Sequence, residues 1–96
     1  KVILETGFLD APRIAEASRV CIRAGAQFVK TSTGFGPRGA SVEDVRVMRE
    51  AVGAGAGVKA AGGIRTLSDA IAMLDAGATR IGSSAGLAII DAAAEA

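Results

Sequence analysis

Tryptophan and tyrosine are missing from this chain, and only three phenylalanines are present. Ala, Val, Ile and Gly must carry the packing instead, as they do where short strands and helices alternate through tight turns. The single cysteine, Cys21, excludes an internal disulfide and favours a reducing cytosol over export. No apolar run approaches the length of a membrane span, and no signal-peptide pattern opens the chain. A soluble, cytoplasmic protein is the expectation. Neither charge sign dominates: 11 basic and 10 acidic residues leave a net charge of +1. No basic block suggests nucleic acid, and no acidic tail suggests disorder. The 96 residues allow one compact unit, half of it apolar, and residues 1–96 read as a single unit without linker or boundary. A start at Lys1 rather than Met suggests a truncated or processed chain.

Lysine is also scarce. Eight of the 11 cations are Arg, and apart from Lys1 the lysines are Lys30 and Lys59, both inside apolar, strand-like runs. Those runs belong to a repeated pattern. Ala24-Gly25-Ala26-Gln27-Phe28-Val29-Lys30-Thr31-Ser32-Thr33-Gly34 is echoed by Gly55-Ala56-Gly57-Val58-Lys59-Ala60-Ala61-Gly62-Gly63 and by Ala76-Gly77-Ala78-Thr79-Arg80-Ile81-Gly82-Ser83-Ser84. Each copy is a helix exit, a short β-favouring run and a turn-rich stretch. The opening Lys1 to Gly7 fits the same pattern without its helix. Glu5, Lys30, Lys59 and Gly82 then fall at equivalent places, 25, 29 and 23 residues apart.

Helices fill the gaps. The first is expected from about Ala11 to Ala24, with Asp10 as N-cap, Pro12 in its first turn, and an apolar stripe of Ile14, Ala17, Cys21 and Ala24. The second starts from Ser41 with Asp44 as a capping-box acid, carries Val42, Val45, Met48 and Val52, and ends at Gly53. The third repeats the device with Thr66 and Asp69, carries Leu67, Ala70, Ile71 and Leu74, and exits at Gly77. A fourth starts near Ser84 or Ala85. Met48, Met73 and Cys21 read as core, and Arg13, Arg19, Arg23, Arg46 and Arg49 as solvated helix faces.

The order βαβαβαβα implies parallel strands with helical crossovers. It fits half of an eight-fold (β/α)8 barrel or a small flavodoxin-like sheet, and the matched strand ends favour the barrel. A complete barrel takes about 200 residues or more, so four units leave two open edges. Self-association, as two half-barrels or with a missing N-terminal half, is the expected remedy.

Strand alternation puts Lys30 on the face opposite Val29 and Thr31. Lys59 takes the matching place one strand away, about 4.8 Å distant. Desolvation and like charge both favour the neutral amine, which can attack a carbonyl to form an imine. A lone lysine at a strand end is ordinarily a snorkelling residue, so surface lysines and a catalytic pair both remain open. Gly62-Gly63 and Gly82-Ser83-Ser84 follow the last two strands, where backbone N–H groups and a helix start suit a phosphate. The same glycines also serve as plain turns.

Taken together, Glu5-Thr6-Gly7, Phe28 to Phe35, Val58 to Thr66 and Arg80 to Ser84 resemble the deoxyribose-phosphate aldolases, over essentially the whole chain. Lys-Thr-Ser-Thr-Gly followed by Lys-x-x-Gly-Gly is the most specific part. The resemblance implies reversible cleavage of 2-deoxyribose 5-phosphate to acetaldehyde and glyceraldehyde 3-phosphate. It implies Lys30 as the Schiff-base lysine and Lys59 as the partner that tunes it. Gly62, Gly63, Gly82, Ser83 and Ser84 would hold the phosphate, with Thr33 and Gly34 shaping the adjoining loop. No metal or organic cofactor is implied, and the only ligand is a small phosphorylated sugar or aldehyde, with no nucleic acid or membrane. Two departures stand out. The family's catalytic aspartate belongs to an N-terminal half not contained in these residues, with Glu5 a candidate stand-in. Phe35 replaces a lysine that some members carry after Thr-Gly, which shifts phosphate binding onto backbone N–H groups or Arg38. The alternative is a non-catalytic, phosphate-binding or structural half-barrel.

Overall fold

A computed structural model describes residues 2–33, 36 and 38–95. The strands are β1 (Val2–Ile3), β2 (Phe28–Lys30), β3 (Gly57–Ala61) and β4 (Arg80–Gly82). Between and after them run the helices α1 (Ala11–Arg23), α2 (Val42–Val52), α3 (Leu67–Ala76) and α4 (Gly86–Glu95). All neighbouring strands pair in parallel, in the order β1-β2-β3-β4. That sequential order is barrel winding, whereas a flavodoxin-like sheet would reverse its strand order near the start.

The helix ends follow from local chemistry. Asp10 accepts from the Arg13 N–H, Ser41 from the Asp44 N–H and Thr66 from the Asp69 N–H, each capping the first turn of its helix. Among the described residues, only Thr66 and Asp69 complete a capping box. The Arg65 backbone N–H, with the Thr66 hydroxyl, holds the Asp69 carboxyl below its ordinary range. Asp44 does not accept from the Ser41 backbone N–H as a capping-box acid would, because its carboxylate turns inward to Thr6 and Arg38. Gly25, Gly53 and Gly77 leave the helices at positive φ, as expected of helix exits.

One apolar core lies between the helices and one face of the sheet. Val29, Val58 and Ala60 from the strands meet Ile14, Val45, Met48, Ala70 and Met73 from the helices. Burying these side chains supplies roughly 1.5–3 kcal/mol for each large aliphatic one. Cys21 packs against this core, as expected of a small apolar residue. The α1 stripe differs from expectation. Ser18 is fully buried while Ala24 is exposed. The Ser18 hydroxyl donates to the Ile14 carbonyl at 2.8 Å, so it enters the core without an unpaired group. On α3, Met73 is buried and Ile71 and Leu74 are half-exposed, so the buried face is turned from the expected stripe. Arg49 is not a solvated side chain. Its guanidinium donates to the carbonyls of Gly53, Ala56 and Gly77, tying the exit of α2 to that of α3.

The strand register also corrects one expectation. Lys30 pairs with Lys59 as anticipated, but the rest of that row is Ile3 and Arg80. Gly82 sits opposite Ala61, two residues beyond the row. Glu5 lies past the end of β1 with φ 56°, and Thr6–Phe8 coils into a 3-10 turn. The chain still follows β2 over this stretch, since Leu4 and Thr6 donate to the carbonyls of Lys30 and Thr31, both at 2.9 Å.

Candidate active site

Because Val29 and Val58 face the helices, Lys30 and Lys59 must face the other way. Phe28 and Gly57 pair in register two residues before them and share that face. Thr31 locks the two lysine strands together. Its N–H donates to the Lys59 carbonyl at 3.0 Å, while its buried hydroxyl accepts from the Ala61 N–H and donates to the Ala61 carbonyl. A side chain thereby replaces a rung of the ladder, and the spacing of Lys30 from Lys59 is set by fully satisfied bonds.

A cleft of about 590 Å³ opens at the carboxyl ends of β2, β3 and β4. Of the residues singled out in the sequence, Lys30, Thr33, Gly62, Gly63, Gly82, Ser83 and Ser84 all line it. Gly34, like Phe35, lies outside the described residues. Lys59 is not part of the wall. Its stem crosses Gly82 instead: a Cβ on that glycine would stand 3.1 Å from Lys59 Cε and 3.8 Å from its Nζ. The lysine therefore reaches β4 because Gly82 has no side chain.

Two glycines at the cleft take positive φ, 91° at Gly62 and 75° at Gly63. Such backbone favours glycine and turns the chain sharply after β3. Gly39 packs on this turn so closely that a Cβ there would lie 2.2 Å from the Gly62 carbonyl oxygen. The Ala40 N–H donates to the carbonyls of both Ala61 and Gly62 at 3.1 Å. Across the cleft, the Ser83 hydroxyl donates to the Ile64 carbonyl and accepts from the Ala85 N–H at 3.0 Å. It binds the β3–α3 turn to the start of α4. Ser32, next to Thr31, has a buried hydroxyl with no hydrogen-bond partner among the described residues.

The loop after β2 is held from two sides. Glu5 accepts from the Thr33 hydroxyl at 2.6 Å and from the Thr33 N–H at 3.3 Å. Its carboxylate fills the space beside Gly36, where a Cβ would come within 2.5 Å of Oε1. Arg38 forms the second anchor. It pairs with both carboxylate oxygens of Asp44 and donates to the carbonyls of Gly39 and Thr6. The Thr6 hydroxyl donates to Asp44 at 2.9 Å. Burial, the largest single influence on Asp44, pushes its carboxyl up. Arg38, Thr6 and Ser41 together outweigh burial and hold it below the ordinary range. Asp44 in turn holds the Arg38 guanidinium above its ordinary value.

Sequence reasoning missed several of these parts. Arg65 and Ile64 line the cleft, and so do Gly36 and Gly39. Arg65 adjoins the Gly-Gly turn and was within reach of the motif. The tight approach of Gly39 to Gly62 joins residues distant in the chain and left no local signal. Arg38, considered for phosphate binding, does line the cleft, but its charge is already engaged by Asp44. Among the described residues, no group of three or more His, Cys, Asp or Glu could hold a metal ion, and no helix is long and apolar enough to cross a membrane.

Comparison with known proteins gives the family and the fold. A deoxyribose-phosphate aldolase of a Thermoanaerobacter species is 59% identical over 91 residues, covering 95% of this chain and 41% of its own length. That of Thermococcus gammatolerans is 57% identical over 93 residues, covering 97% and 41%. Among solved structures, the aldolase QR15 superposes with a TM-score of 0.91 at 47% identity, over 97% of this chain and 42% of its own. The deoxyribose phosphate aldolase of Aeropyrum pernix, described as a unique tetramer, gives 0.86 at 36% identity, over 96% and 40%. The chain thus spans about two fifths of the relatives it matches, and its four βα units are part of a (β/α)8 barrel. The family model for DeoC/LacD aldolases matches residues 3–92, and the chain belongs to that family.

Proposed function

We propose that these residues carry the Schiff-base chemistry of a deoxyribose-phosphate aldolase, with Lys30 as the nucleophile and Lys59 as its charged partner. The observation that carries this reading is the register pairing of Lys30 with Lys59 on one sheet face beside the cleft. A positive charge one strand away favours the neutral, nucleophilic form of an amine. The Lys30 amine adds to the C1 aldehyde of open-chain 2-deoxyribose 5-phosphate, and water leaves to give the protonated imine. The C2–C3 bond then breaks and its electron pair moves into the imine, forming an enamine. The C3 hydroxyl gives up its proton and becomes the aldehyde of glyceraldehyde 3-phosphate. Protonation of the enamine and hydrolysis of the imine release acetaldehyde and restore Lys30.

In this reading Gly62, Gly63, Gly82, Ser83 and Ser84 take the substrate phosphate on backbone N–H groups and the start of α4, and Thr33 and Gly34 shape the neighbouring wall. Glu5 is a poor candidate for the catalytic acid, since its carboxylate is occupied by Thr33. A cytoplasmic setting belongs to the same reading, as the lone Cys21 has no disulfide to form. The open edges β1 and β4 favour pairing with a second copy or an N-terminal half. Sedimentation showing only well-folded monomer would sink that part.

A second reading is a phosphate-binding or structural half without turnover, in which the Gly62-Gly63 turn and the Gly82-Ser83-Ser84 stretch hold an anion and Lys30 does no chemistry. Incubation with acetaldehyde and borohydride, followed by intact mass and peptide mapping, separates the two. One reduced adduct on Lys30 supports the aldolase. Phosphate binding with no selective adduct supports the non-catalytic half.

A further inference from the structure

Among the described residues, Glu5 is the only one besides glycine at positive φ, with φ 56° and ψ 63°. We propose that Glu5 is a positioning residue: its carboxylate sets the cleft wall formed by Thr33 and Gly36, and through that wall the affinity for phosphate. The inference rests on the reading of the cleft as a phosphate site.

In left-handed backbone a Cβ crowds the following carbonyl, so glycine or asparagine is the ordinary choice and glutamate an uncommon one. Nothing local accounts for it. Glu5 stands at the start of the Thr6–Phe8 turn, yet its side chain makes no capping bond there. None of the ion pairs among the described residues includes it. The carboxylate goes instead to a loop 28 residues further along the chain. There the Thr33 hydroxyl donates to Oε2 at 2.6 Å, a short bond strengthened by the charge. The Thr33 N–H donates to both oxygens at 3.3 Å. Gly36 supplies the room, since a Cβ there would lie 2.5 Å from Oε1 and 2.8 Å from Cδ. Thr33 and Gly36 both line the cleft. A strained residue at the end of one strand thus fixes a wall of the site beside the next.

This wall is separate from the supports of the amine. Lys30 is set by the pairing of β2 with β3 and by the bonds of the Thr31 hydroxyl to Ala61, in which Glu5 has no part. The far end of the loop is anchored by Arg38 on Asp44. Glu5 governs the near end. Its loss should therefore act on the phosphate more than on imine formation.

Inorganic phosphate is titrated by NMR, at fixed ionic strength, into the wild type, Glu5→Gly, Gly36→Ala and the double variant. Glu5→Gly removes the carboxylate but suits the left-handed backbone, so the unfolding midpoint stays near the wild-type value. Phosphate then binds roughly 3–10-fold more weakly. Gly36→Ala pushes the carboxylate off Thr33 from the other side and weakens binding to a similar extent. Both changes act on one contact, so the double variant is no weaker than the weaker single one. Glu5→Gln, which can still accept from the Thr33 N–H, recovers most of the affinity. Trapping of acetaldehyde at Lys30, which involves no phosphate, moves less than phosphate affinity in every variant. If the wild type binds phosphate and Glu5→Gly and Gly36→Ala bind it equally well, the inference is overturned and the phosphate reading stands. Additive losses in the double variant overturn it too, because the two residues would then not act through one contact. If the wild type binds no phosphate, the phosphate reading falls and takes this inference with it.

Discussion

Replacing Arg38 with alanine leaves the Asp44 carboxylate buried, with the Thr6 and Ser41 hydroxyls as its remaining partners among the described residues. The cost can be bounded from the two ends of the pair. The Asp44 side chain is 5% exposed and that of Arg38 45%. A fully exposed pair contributes about 0.2–1 kcal/mol, whereas breaking a buried one costs about 3–5 kcal/mol. Solvent screening at the half-exposed arginine places Arg38→Ala between them, at about 1–3 kcal/mol. For a chain of this size that lowers the thermal midpoint by roughly 5–15 °C. The pH dependence carries the sharper test. The folded Asp44 carboxyl titrates below its unfolded value of about 3.9, so the stability it brings is complete above that value. It is lost as pH falls through the folded value. In Arg38→Ala the foremost influence that lowers the carboxyl is gone, so it titrates higher than in the wild type and that variant gains relative to wild type on acidification. Urea unfolding followed by circular dichroism, at neutral pH and near about pH 3, reads both effects. A difference between the two proteins that is the same at both pH values would refute the reasoning, because the penalty would then not come from the charge on Asp44.

Other substitutions probe the site itself. Lys30→Ala should abolish borohydride-trapped aldehyde adducts by mass spectrometry, and Lys59→Ala should retain them but only at higher pH. Gly82→Ala puts a methyl group 3.1 Å from Lys59 Cε. The same methyl group stands 3.1 Å from Ala61 Cβ, so the lysine stem and β3 must both give way, trapping at Lys30 should weaken and the unfolding midpoint should fall modestly. Gly39→Ala meets rigid backbone at 2.2 Å instead. It should force the loop off the Gly62 turn, costing about 1–3 kcal/mol in urea unfolding and weakening inorganic phosphate binding.

Much of this fold is written in short-range chemistry. Asp10, Ser41 and Thr66 start helices because a side-chain oxygen three residues before a free N–H needs no tertiary partner. Period-two alternation opposed Lys30 to Val29, and repeat spacing aligned Lys30 with Lys59, both properties of the chain read in order. The Gly-Gly and Gly-Ser-Ser turns stood out for the same reason, and they do line the cleft. What lay beyond the sequence was every contact whose partners are distant and whose chemistry is ordinary when seen alone. Asp44 has the look of a helix-cap acid, and only the fold brings Thr6, in the 3-10 turn after β1, and Arg38 to its carboxylate. Arg49 has the look of a surface cation, until three carbonyls at the exits of α2 and α3 converge on it. Repeat counting also aligned Gly82 with the lysines, whereas the parallel ladder pairs Lys59 with Arg80. Residue spacing counts positions along the chain, but register is chosen by how each helix packs before the next strand begins, and that is decided only in three dimensions.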